Sequence, residues 1–316
     1  TSLCQREEYT PLWQSRRLDS TRGARGDFLT KCLSNFENIS MSDEETRKEL
    51  LYLRREVRRL RESLNILTPG IDVILKRRGF RIYKKEPSED LLIPDRELID
   101  EYYRMLHRYS FRLFLRDVIK HQNFFTSENV TRYATSNVTK DYLKFIYKIG
   151  LIEKHGRGYA LARRPIKSFG ETLEWYISEI CGREFRFDAI WGVKFKRPRI
   201  GGDYDVIAKF NGSVLYIEVK SSPPKQIYDS EISAFFDRVA DLSPEISVFL
   251  MDTELRMKDK IVPMFESELK KRFAEAPDVI RMEKELFQIW DRIFIINAKD
   301  SIVSNIEKVL NRYFRR

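Results

Sequence analysis

The stretch FNGSVLYIEVKSS, residues 210–222, joins a tight chain reversal to an apolar strand that ends in an acid and a base. Asn211-Gly212 is the dipeptide favoured by two-residue type I′ hairpin loops, which need positive φ at both central positions. Counting outward from that loop pairs Phe210 with Ser213, Asp205 with Glu218, and Asp203 with Lys220. Alternation with period two puts Tyr204, Val206, Ala208 and Phe210 opposite Ser213, Leu215, Ile217 and Val219, on a core face. The other face holds Asp203, Asp205, Ile207 and Lys209 opposite Lys220, Glu218, Tyr216 and Val214. Carboxylates directly opposite each other have Cβ atoms roughly 4.5–5.5 Å apart, an unfavourable arrangement in isolation. A divalent cation between them reverses the sign, and hard carboxylate oxygens are what Mg²⁺ prefers. Lys220, one pleat repeat beyond Glu218, would then position a water or neutralise charge building on a phosphate. The alternative is an exposed face with a chance acid pair and a Lys220–Asp203 bridge of negligible worth.

The elements that must position these groups begin near residue 165. The pattern predicts helix 169–181, strands near 186–195, 203–210 and 213–220, helix 229–241 and strand 246–251. Helix 258–273, strand 292–296 and helix 300–314 follow, so the class is α/β, a sheet layered between helices. In the first helix Leu173, Ile177, Ile180 and Cys181 form the buried stripe. Glu174 flanks that stripe, whereas Glu171 points further out.

With these residues in place, GGDYDVIAKFNGSVLYIEVKSS resembles the PD-(D/E)xK nuclease superfamily, which includes restriction endonucleases and Holliday-junction resolvases. The superfamily carries an acid on one strand and Glu-x-Lys on the next, here Asp205, then Glu218 and Lys220. Its core opens with a helix bearing a further Glu, matched by Glu174 in FGETLEWYISEI. The resemblance covers residues 165–255 and departs from the literal Pro-Asp, since Tyr204 precedes Asp205. It implies a restriction-endonuclease-like αβββαβ core that hydrolyses phosphodiester bonds, leaving 5′-phosphate and 3′-hydroxyl ends. It also implies Mg²⁺, with Mn²⁺ as a substitute, held by Glu174, Asp205, Glu218 and the Val219 carbonyl. Lys220 would orient the attacking water, and Asp203 would be a minor ligand or hold that lysine. Gln226 sits where some relatives carry a supporting Gln.

Upstream, residues 95–164 read as helix, turn, helix and a β-wing around Gly156-Arg157-Gly158, an order that resembles a winged-helix domain. The predicted pieces are a helix over 95–120, a short helix over 126–134 capped by Thr126 or Ser127, and a second helix from Asn137. In such a domain Asn137, Thr139, Lys140 and Lys144 would face a major groove and Arg157 a phosphate. Lys194, Lys196, Arg197 and Arg199, before the hairpin, are further candidates for the DNA backbone. Residues 41–68 form a coiled-coil-like helix with Leu50, Leu53, Val57, Leu60, Leu64 and Leu67 at 3-4-3-4-3 spacing. That helix either pairs with a second copy as a homodimer or packs on its own chain. Residues 69–94 read as a basic linker around ILKRRGFRIYKK. Met41 with Ser42 as N-cap looks like a natural start, which leaves 1–40 as an unstructured extension.

Composition narrows the classes without choosing among them. The 58 Lys and Arg against 48 Asp and Glu give a net charge of +10, which suits a polyanionic partner such as DNA. Cys4, Cys32 and Cys181 are far apart and read as reduced thiols of a cytoplasmic protein. His107, His121 and His155 form no zinc-like cluster. No apolar run reaches the ~18 residues of a membrane span. The expectation is a Mg²⁺-dependent DNA endonuclease targeted by a winged helix. A DNA-binding or scaffolding protein that keeps the nuclease fold without activity is the alternative.

Overall fold

A computed structural model describes residues 43–67, 69–196 and 200–315. The segment 1–40, Met41, Ser42, Thr68, Arg197, Arg199 and the thiols Cys4 and Cys32 lie outside the described residues, as do the side chains of Leu64 and Leu67. The chain divides into two units, with the boundary between Ser63 and Leu64. The first contributes most of α1 (Asp43–Leu67), on which Leu50, Leu53, Val57 and Leu60 are each about half exposed.

The second unit is built on an eight-stranded mixed sheet. Its strands are β1 (Ile82–Lys84), β4 (Ala189–Phe195), β5 (Tyr204–Phe210), β6 (Ser213–Lys220), β7 (Ile246–Met251), β10 (Ile293–Asn297), β9 (Leu286–Ile289) and β8 (Ile280–Glu283), in that spatial order. The β6–β7 and β7–β10 pairs are parallel and the rest antiparallel. Both faces are buried, one more than the hairpin alternation predicts. On one face Val206, Leu215, Ile217 and Leu250 pack with Leu173, Ile177 and Ile180 of α6 (Gly170–Phe185) and with Ile306 and Val309 of α9 (Ile302–Phe314). On the other, Ile207, Val214, Tyr216 and Phe249 pack with Ile232 and Phe235 of α7 (Asp229–Leu242) and Phe265 of α8 (Ile261–Arg272). Each fully buried Leu, Ile or Phe contributes about 1.5–3 kcal/mol of burial energy. A central strand apolar on both sides is what a parallel pair such as β6–β7 requires.

Residues 69–94 are not a linker. They supply α2 (Ile71–Arg77) and the edge strand β1, and Asp188 fixes α2 by accepting the Ile71 N–H at 2.8 Å. The helix predicted over 95–120 breaks at His107–Arg108 into α3 (Ile99–Leu106) and α4 (Tyr109–Lys120). The segment predicted as a short helix forms a 3-10 turn at Ser127–Val130, with Thr126 in a capping box. Then come α5 (Ser136–Lys148), N-capped by Thr135, and a hairpin of β2 (Ile152–His155) and β3 (Gly158–Leu161). Phe111, Phe114 and Ile146 of these helices belong to the same core as α6.

A buried ion cluster ties α4 to the end of β7. Arg112 holds Asp252 through Nε at 2.9 Å and Nη2 at 2.7 Å, and Arg116 donates to the same carboxylate. Burial alone would raise the Asp252 carboxyl, but Arg112 and Arg116 outweigh it and hold it below its ordinary value.

Candidate active site at the β5–β6 hairpin

The reversal forms at Asn211 (φ 48°) and Gly212 (φ 78°), and the register runs from Phe210–Ser213 to Val206–Ile217. Beyond that pair a side chain takes over: Asp205 Oδ2 accepts the Val219 N–H at 2.7 Å. On the neighbouring strand Trp191 pairs with Val206 and Val193 with Tyr204, which leaves Gly192 opposite Asp205. Trp191 and Val206 lie in one core, Val193 and Tyr204 in the other. The pleat therefore changes face at Gly192 and Asp205, and Tyr204 is not on the face that simple alternation assigns it. Gly192 permits this with φ 56°, a region that costs other residues strain. A Cβ there would also lie 2.3 Å from Pro87 Cδ and 3.7 Å from Glu174 Oε2.

Glu218 is 1% exposed and fully engaged. It accepts from the Tyr216 hydroxyl, from Arg238 Nη1 at 2.9 and 3.1 Å, and pairs with Lys220 Nζ at 2.8 Å. Lys220 also lies 3.4 Å from Glu231. Glu231 and Arg238 stand two turns apart on α7, so one helix face serves both ends of this network. The approach of Arg238 depends on Gly202, where φ is 99° and a Cβ would sit 2.6 Å from Nη2.

The acids outnumber what these cations neutralise. Burial, then Asp205, then Glu171, Asp203 and Glu218 push the Glu174 carboxyl up to about 9. Burial and Glu218 push Asp205 up to about 8, although Lys220, the Val219 N–H and Arg238 act the other way. Burial alone would lower the Lys220 ammonium, but Glu218 and Asp205 together leave it raised, so it stays charged.

Among the described residues no three His, Cys, Asp or Glu side chains form a set able to hold a metal ion. The expected ligand set of Glu174, Asp205, Glu218 and the Val219 carbonyl is not assembled, because Glu218 is turned to Tyr216, Lys220 and Arg238. Glu174 and Asp205 remain as carboxyls that raise each other's proton affinity. Mg²⁺ commonly takes one or two carboxylates and keeps several waters, so this pair fits it chemically.

The other predicted residues fall into three groups. Asn137, Lys140 and Lys144 are exposed on α5, Arg157 is exposed at the β2–β3 turn, and Lys196 and Gln226 are exposed. Thr139 is completely buried, since it shares a helical stripe with Tyr142, Leu143 and Ile146, so it cannot meet a groove. Asp203 pairs with Lys194 at 3.0 Å rather than with Lys220. Glu171 accepts the Asp90 N–H at 2.9 Å. Arg238 escaped the sequence reading, although its position inside the apolar stripe of Ile232, Phe235, Val239 and Leu242 was a signal.

No family model and no curated protein matches the chain. Among solved structures it is similar to Can2 from Sulfobacillus thermosulfidooxidans in complex with cyclic tetra-adenylate, at 14% identity and a TM-score of 0.46, covering 78% of this chain and 61% of that one. It is also similar to protein VC1899 from Vibrio cholerae, at 14% identity and a TM-score of 0.39, covering 61% and 54%. The chain thus spans less than two thirds of either neighbour.

Two outcomes follow from the electrostatics. Unfolded Asp and Glu titrate near about 3.9 and 4.3, whereas folded Asp205 and Glu174 keep their protons to about 8 and about 9. The raised folded values make their contribution full below the unfolded values and lost as pH climbs through the folded ones. Melting in chelator should therefore weaken from about pH 5 to about pH 9, and Mg²⁺ should restore most at the alkaline end. A flat profile in chelator contradicts the pairing. Arg238→Met leaves buried Glu218 with Lys220 alone and should cost about 3 kcal/mol in urea unfolding, the low end for a broken buried pair. A cost well under about 1 kcal/mol, the range of surface pairs, would mean that Arg238 does not hold Glu218.

Proposed function

We propose that the chain is a metal-dependent nuclease of the PD-(D/E)xK type that hydrolyses DNA. The observation that carries this reading is Lys220, a charged and largely buried ammonium beside Glu218 and Asp205 at the end of one hairpin, with Glu174 of α6 adding a further acid. The order α6-β4-β5-β6-α7-β7, with a β4–β5–β6 antiparallel meander and a parallel β6–β7 pair, supports an αβββαβ core.

Glu174 and Asp205 would hold Mg²⁺, or Mn²⁺ in its place. When bound, the ion supplies Lewis-acid polarisation of the scissile phosphate. Lys220 orients the attacking water and offsets charge developing on the phosphoryl oxygens. Arg238 and Tyr216 fix Glu218, which in turn fixes Lys220. The leaving 3′-oxygen departs as a hydroxyl and the phosphate stays on the 5′ side.

For targeting, α4, the 3-10 turn, α5 and the β2–β3 hairpin follow a winged-helix order. Asn137, Lys140 and Lys144 on α5 and Arg157 on the wing are the exposed groups that would meet duplex DNA. The half-exposed apolar stripe of α1 would pair with a second copy as a coiled coil. No helix among the described residues is long and apolar enough to cross a membrane. One observation favours the non-catalytic reading instead: the Glu218 carboxylate is already satisfied by protein groups.

Incubation with plasmid, single-stranded and four-way-junction DNA should show nicking that needs Mg²⁺ or Mn²⁺ and falls about 10²-fold or more in Lys220→Ala. DNA binding without cleavage in either metal would establish the scaffold. Light scattering should give a dimer mass that drops to a monomer when 41–68 is deleted, and an unchanged mass would remove the coiled-coil assignment.

A further inference from the structure

A cavity of about 780 Å³ lies between α4, the stretch after the Ser127–Val130 turn, and the loops leaving β6 and β7. Its wall includes Ser221 and Ser222, the two residues that follow Lys220, together with Arg116, Asp117, Arg132 and Tyr133. The volume falls within the ~300–1,000 Å³ of small-molecule pockets. It is therefore large enough for a nucleobase and its sugar.

The wall carries unfinished hydrogen bonding. Arg116 Nε and Asp117 Oδ2 are buried without a hydrogen-bond partner among the described residues. Only four such side-chain atoms occur among those residues, and these two belong to consecutive cavity-lining residues. Buried polar atoms are paired in roughly nine cases out of ten, so adjacent orphans on one wall point to a missing ligand or water. One is a donor and the other an acceptor. A simple anion presents acceptors only and would leave Asp117 unpaired, whereas the edge of a base presents both kinds of group. The same wall offers a stacking surface: Tyr133 is 40% exposed, with the Arg132 guanidinium 5.2 Å from its ring centre. Aromatic rings backed by arginine are the platforms on which unpaired bases stack.

From these features we infer that the cavity receives the base of an unpaired nucleotide next to the cleaved phosphodiester. Tyr133 stacks on that base, Arg116 and Asp117 read its edge, and Arg132 with Lys225 faces the flanking phosphates. The inference rests on the nuclease reading for its position along the strand. It narrows the substrate class to nucleic acid with a single-stranded segment at the cut, because a base can enter such a pocket only out of its duplex.

The test uses the full chain in chelator, so that binding is read without cleavage. The probes are short single strands carrying 2-aminopurine at successive positions, and a blunt duplex of the same sequence. Quenching is expected at one position of the single strand with the wild-type protein. Tyr133→Ala should abolish that quenching and weaken single-strand binding about ten-fold, while leaving duplex binding unchanged. Tyr133→Phe should behave as wild type, and Asp117→Asn should change which base is preferred. Melting curves establish that each variant is folded. Absence of quenching at every position, or single-strand binding and quenching left intact in folded Tyr133→Ala, overturns the inference. Quenching without cleavage on any substrate would sink the nuclease reading alone, and cleavage without quenching would sink this inference alone.

Discussion

Like charge held out of water is the constraint around which the site is organised. Glu174, Asp205 and Glu218 reach one end of the β5–β6 hairpin from two elements, and burial deprives them of the solvent that would screen their repulsion. The chain answers with Lys220 from the same strand and Arg238 from α7, both directed at Glu218. That leaves Glu174 and Asp205 short of positive charge, as their raised proton affinities show. Either protons or a divalent cation must complete the balance, and only the cation gives the site a reason to be arranged this way.

The fold supports this cluster at several points that each depend on a small backbone detail. Gly192 lets the pleat change face opposite Asp205, and Gly202 clears the space that the Arg238 guanidinium occupies. Val219 donates its backbone N–H to Asp205 rather than extending the ladder, so the acid takes its orientation from the strand that bears Glu218 and Lys220. Behind the strand ends, Arg112 and Arg116 clamp Asp252, which follows the β7 residue paired with Lys220. The helical segment before α6 is thereby fixed to the same end of the sheet as the lysine.

Much of this was legible in the sequence because short-range rules govern it. The Asn-Gly loop set the hairpin register, and apolar periodicity located α6, α7, β7 and α9 to within a few residues. What escaped depends on contacts distant in sequence. Alternation cannot see a face change that a glycine on the neighbouring strand permits, so Tyr204 was put with the wrong core. Thr139 was read as polar and therefore outward, yet its spacing to Tyr142, Leu143 and Ile146 already placed it in the buried stripe. The β8–β9 hairpin turns through Lys284-Glu285 without the usual turn residues and gave no signal. Basic composition hid α2 and β1 inside an apparent linker, although Ile71, Ile74 and Leu75 are buried core. Arg238 was visible as a lone cation in an apolar stripe, but its partner Glu218 could be identified only in three dimensions.

The central claim is that Glu174 and Asp205 share a deficit of positive charge that a divalent cation fills. Crystals grown without divalent metal, soaked in Mn²⁺ and measured for anomalous scattering, test it most directly. A peak bridged by the Glu174 and Asp205 carboxylates is the predicted result. A map with no peak there, or with Mn²⁺ bound elsewhere while both acids keep their places, would contradict it.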